Sequence, residues 1–115
     1  MVPASEEPTA LSPAASKWLI IAEDENKDIQ DRITAVCELK QMKEPATAER
    51  LINLLPGNYG EFTLEIVAAL GRIKDPQALP ALKKMYNEQK INVAGGIRAE
   101  INHAIRECGG DPYIP

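Results

Sequence analysis

An acidic residue followed by proline, set between two apolar stripes of helical spacing, recurs in this chain and limits what it can fold into. The clearest copy lies in residues 62–82. Phe62, Ile66, Ala69, Leu70 and Ile73 fall at helical spacing and make one stripe. Lys74-Asp75-Pro76 then breaks the helix. Asp75 suits the cap of a new helix, and Pro76 suits its first turn, where no backbone N–H is needed. Leu79, Leu82, Met85 and Tyr86 form the second stripe. Two short amphipathic helices joined by so tight a corner cannot bury both stripes alone. They need stacked neighbours.

The neighbours are copies of the same unit. Glu44-Pro45 precedes Asp75-Pro76 by 31 positions, and at that offset Val36 falls on Val67, Cys37 on Ala68, Leu39 on Leu70, Met42 on Ile73, Leu51 on Leu82 and Leu54 on Met85. A partial third copy follows at an offset of 35, with Phe62 on Ile97, Ile66 on Ile101, Ala69 on Ala104 and Leu70 on Ile105. Repeats of this length mean a solenoid in which each unit packs on the next. The expected fold is therefore all-α: an α-α superhelix of about six helices, two full helix pairs plus a half repeat, preceded by an N-terminal helix. Composition agrees. Aromatics are only 4% of 115 residues, so aliphatic side chains must carry the core.

Taken in order, residues 1–12 hold little apolar content and two prolines and are expected to be a flexible tail. The solenoid domain then fills 13–115. Ser12-Pro13 begins a helix over 13–25, on which Trp18, Leu19, Ile21 and Ala22 are the apolar side. Asp28 caps a helix over 29–42. A third helix follows Pro45 and runs to about 55. Residues 56–60 are a loop, the next two helices are the opening stretch, and a sixth spans 96–107 until Gly109-Gly110 stops it. Ala68, Ala69 and Gly71 are expected to keep the two helices of one pair close.

The string Ala69-Leu-Gly-Arg-Ile-Lys-Asp-Pro-Gln-Ala-Leu-Pro-Ala-Leu82 resembles the short HEAT repeat of phycobilisome-lyase-type HEAT-like proteins, whose pattern is Ala-Leu-Gly-x-Ile-x-Asp-Pro followed by Pro-Ala-Leu. The resemblance covers about residues 29–115. It is weaker in 29–55, where Lys40 replaces the Gly, Glu44 the Asp and Glu49 the Pro, and partial in 96–115. It implies a HEAT-like fold and protein–protein interaction. Some members of that group work in bilin attachment, so a bilin-lyase-type subunit or chaperone acting on phycobiliproteins is the alternative it implies.

The residues offer little for catalysis. His103 is the one histidine and has no Cys or Asp at ligand spacing, so no metal is expected. Cys37 and His103 share a repeat column two repeats apart, too far for a nucleophile and its base. The glycine pairs follow no strand, which argues against a phosphate loop. No enzyme activity and no cofactor are expected. Cys37 and Cys108 sit at apolar helix positions and read as two reduced, buried thiols of a cytoplasmic protein; a disulfide or redox pair is the alternative. The net charge of −4 argues against nucleic acid. The longest apolar run, 18–22, is too short to span a bilayer.

What remains is a small adaptor or scaffold that binds another protein. If the second helices of the pairs line the concave face, as the resemblance implies, the binding residues are Arg50, Asn53, Lys83, Lys84 and Asn87. That basic face suits an acidic surface or peptide. The chain stops where the second helix of a third pair should begin, so Ile105, Tyr113 and Ile114 are expected to be exposed at an open C-terminal end, available for a partner or for self-association.

Overall fold

A computed structural model describes residues 11–55, 60–88 and 95–110. Among them are six α-helices and no strand: α1 Pro13–Glu23, α2 Ile29–Met42, α3 Ala48–Asn53, α4 Glu61–Ile73, α5 Leu79–Glu88 and α6 Gly95–Glu107. The expected all-α repeat fold is what the chain forms.

The first two starts follow the capping chemistry of their sequence. The Ser12 hydroxyl accepts the Ala15 N–H at 3.1 Å, and Asp28 accepts the Gln30 N–H at 3.0 Å. The stops are equally local. α1 ends at Glu23 rather than at 25, because Asp24 turns extended and its carboxylate accepts the Asn26 N–H at 2.9 Å, an Asx turn that replaces helical bonding. α3 ends at Asn53. Leu54 and Leu55 then bond three residues back, to Leu51 and Ile52, instead of four. α6 closes with Gly109 at φ 96, its N–H on the Arg106 carbonyl and the Gly110 N–H on that of Ile105, the paired bonds of a Schellman stop.

The repeat is visible in the backbone. Lys43 and Lys74, 31 positions apart, are both left-handed (φ 54 and 62), and each leads into a one-turn 3-10 helix, Pro45–Thr47 and Pro76–Ala78. Gly109 occupies the same place after α6. Burial keeps the register: Leu39, Leu70 and Ile105 are buried in successive first helices, as are Ala35, Ile66 and Ile101.

The same register reaches further toward the N-terminus than the sequence suggests. Ala15, Thr47 and Ala78 are buried at equivalent places after the corner, and so are Leu19, Leu51 and Leu82. α1 is thus equivalent in register to the second helices α3 and α5, and is entered through Ser12-Pro13. Its corner is bonded to the next. The Ser12 N–H and hydroxyl donate to the Glu44 carboxylate at 3.1 and 2.6 Å. Glu44 makes no cap to its own helix, whereas Asp75 accepts the Gln77 N–H at 3.0 Å. The extra methylene of Glu carries its carboxylate past its own turn to the preceding corner. Leu11 also packs against the core. Residues 11 and 12 of the expected tail are therefore held in place, and 1–10 lie outside the described residues.

α2, α4 and α6 pack side by side as one layer, and α1, α3 and α5 each pack on the first helix that follows. One apolar cluster runs from Ala15 to Cys108 through all six helices. Gly71 lies in the first layer. A Cβ there would stand 3.2 Å from the Ala104 Cα, so its missing side chain brings α4 against α6, the next unit, and not against its own partner α5 as expected.

Candidate functional site

The anticipated binding residues divide into three groups. Arg50 reaches back to α1, where its Nε donates to Glu23 Oε2 at 2.8 Å and a terminal nitrogen donates to Oε1. This fork on a carboxylate ties successive second helices together. It holds the Arg50 guanidinium above its ordinary pKa and removes it from the free basic surface. Asn53, Lys84 and Asn87 are exposed and Lys83 is half-buried, and neither lysine joins an ion pair among the described residues. The last group concerns the C-terminal end. Ile105 is fully buried, as is Ile101, which corrects the expected exposure of these two side chains: α6 presses them onto α4 and α5. Tyr113 and Ile114 lie outside the described residues.

Sequence reasoning did not single out two grooves. The larger, about 910 Å³, runs between the start of α2, the end of α3 and the start of α4. Ile29, Ile33, Leu54, Leu55 and Phe62 give it an apolar lining, with the exposed Glu25, Asn53 and Glu61 beside them. Ile29 is 47% exposed, an unusual state for a large aliphatic side chain here. Arg32 braces the wall: its Nε donates to the Ala22 carbonyl at 2.9 Å, at the end of α1, and its guanidinium lies 4.6 Å from the centre of the Phe62 ring. The smaller groove, about 580 Å³, lies on the first-helix layer over α4 and α6.

A family model of HEAT repeats matches residues 15–100. The chain is a HEAT-repeat protein. The match begins inside α1, in keeping with its place as a repeat helix. Comparisons with curated proteins and with solved structures each found no match. HEAT repeats in general mediate protein–protein interaction.

Within these HEAT repeats the reactive side chains stand apart. Cys37 and Cys108 are both free. Burial, then the hydrogen bond to Glu65, pushes the Cys37 thiol up; its Sγ lies 3.3 Å from Glu65 Oε1. Burial and the charge of Asp75 do the same for Cys108, whose thiol donates to the Leu70 carbonyl at 3.4 Å. Both are held as neutral thiols, the less nucleophilic form. Cys37 is only half-buried, not fully buried as its helix position suggested. His103 is exposed, and no group of three His, Cys, Asp or Glu among the described residues is placed to hold a metal. No helix among the described residues is long and apolar enough to cross a membrane.

Proposed function

We propose that this HEAT-repeat chain is a small non-catalytic adaptor that binds another protein. The observation that carries this reading is the groove of about 910 Å³ at the ends of α2, α3 and α4. Concave and mostly apolar, and fixed between helices of two successive repeats, it suits an apolar side chain of a partner segment. Lys83, Lys84 and Asn87 on α5 provide a second contact area, of a kind that favours an acidic stretch of the same partner. The cytoplasm, where free thiols persist, is the compartment that fits this role.

Affinity capture of the partner from source cells, compared across variants, tests the reading. Ile29→Glu places a charge at the groove from an exposed position, and Lys83→Glu with Lys84→Glu reverses the second area. Loss of the same captured protein in either variant supports the adaptor role. A protein retained equally by both overturns these surfaces as its site.

The 69–82 string also supports a second reading, a bilin-lyase-type subunit or chaperone. Mixing the purified protein with free phycocyanobilin tests it. A change in bilin absorbance favours this reading, and an unchanged spectrum rejects it.

A further inference from the structure

The repeat lets one seam of the solenoid be compared with the next. At the α2–α4 seam, Lys40 extends its ammonium to Glu65 Oε1 at 3.0 Å, and Cys37 approaches the same oxygen at 3.3 Å. Both ends of that ion pair are largely covered, at 22% and 24% exposure. At the α4–α6 seam the equivalent of Lys40 is Gly71, the equivalent of Cys37 is Ala68, and the equivalent of Glu65 is Glu100. The carboxylate is repeated and its cation is not.

The consequence is the groove of about 580 Å³. Ala68, Gly71 and Ala104 give it a lining of small groups, and Glu100 stands in it, exposed, with no hydrogen bond or ion pair among the described residues. The other carboxylate in the groove, Glu107, is engaged by Lys74 at 3.3 Å. The ammonium of Lys40 is already held by Glu65. His103 and Arg72 are exposed along the same groove and belong to its lining. Arg72 forms no ion pair with Glu100.

We propose that this groove receives a lysine side chain from a partner protein, its methylenes over Ala68, Gly71 and Ala104 and its ammonium on Glu100. The partner then completes in trans the pair that Lys40 completes within the chain at the preceding seam. A lysine suits the slot better than an apolar side chain. Its stem covers small apolar groups while its charged end reaches the exposed carboxylate of Glu100. The site shares no residue with the larger groove or with the lysines of α5, so it stands or falls apart from the adaptor surfaces proposed above.

The test is a titration of the ¹⁵N-labelled chain with a blocked pentapeptide, Ala-Ala-Lys-Ala-Ala, followed by amide chemical shifts. The expected result is saturable shifts centred on Ala68, Gly71 and Ala104. Affinity should fall about tenfold or more with the Nε-acetyl-lysine version of the peptide and in Glu100→Gln, the loss expected for one charge-assisted hydrogen bond. Glu49→Gln, an exposed change on α3, should leave the titration unaltered. Equal binding of the acetylated peptide, unchanged binding in Glu100→Gln, or shifts that avoid these three amides would each overturn the proposal. Since Glu100 is exposed, its substitution leaves the fold intact, and an unchanged amide spectrum of the free variant checks this.

Discussion

At the residue scale, two lysines do what glycine does elsewhere. Lys43 and Lys74 end their helices in the left-handed region, which crowds the Cβ of any L-residue, while the third corner uses Gly109. Lys74→Gly should therefore raise stability by about 1 kcal/mol, measured by urea denaturation, although glycine also loosens the unfolded chain and offsets part of the gain. A lower midpoint would mean that the Lys74–Glu107 pair outweighs the strain. The cysteines give a second expectation. Each folded thiol has a raised pKa, so the native chain keeps these protons longer than the unfolded chain does. The stability they contribute is fully present below the ordinary thiol pKa of about 8.5 and falls as pH rises through the raised folded values. Iodoacetamide at pH 8 should accordingly label the native protein much more slowly than the urea-unfolded protein. Equal rates would contradict the placement of both thiols.

At the scale of elements, the small residues of α4 act between repeats. Gly71→Ala puts a methyl 3.2 Å from the Ala104 Cα, a backbone-linked atom that cannot swing aside. Overpacking of this kind typically costs about 1–3 kcal/mol, while alanine in a helix recovers up to about 1 kcal/mol over glycine. A net loss of about 1–2 kcal/mol in urea melts is expected. A gain would show that α4 and α6 can separate without penalty. The sequence made the helices legible because stripes, caps and breakers are local: α2 was anticipated residue for residue, and Asp28 and Gly109 act as their types suggest. It was less informative about helix ends such as Asp24 and Leu54, where a turn competes with the last helical bonds over one or two residues. The groove residues were harder still. Ile29 and Phe62 sit on different helices, and only packing brings them together. For the smaller groove the one available signal was Lys40 standing where the best repeat has Gly71.

Across the whole molecule, the core is continuous from α1 to α6 although the architecture is modular. α1 is joined to the rest by buried Leu19 and Ala22, by the Ser12–Glu44 bonds and by the Arg50–Glu23 fork. Trp18, the single tryptophan, lies on α1 and packs against that core. Its fluorescence should therefore change at the same urea concentration as the far-ultraviolet circular dichroism of the whole chain, the mark of one cooperative unit. An earlier fluorescence transition would show that α1 frays independently, as the end of a weakly coupled repeat array can.

The sequence by itself determined the repeat, the helical class and the corners, because each depends on residues within one or two turns of one another. It also carried the equivalence of Lys40 with Gly71 and of Glu65 with Glu100. Tertiary structure decided what those equivalences mean. Arg50 is tied to Glu23, Ile105 is covered, α1 packs in the register of a second helix, and Glu100 faces a groove without its cation. Those outcomes depend on side chains from separate repeats meeting across a seam, and such distances are set by helix packing rather than by spacing along the chain.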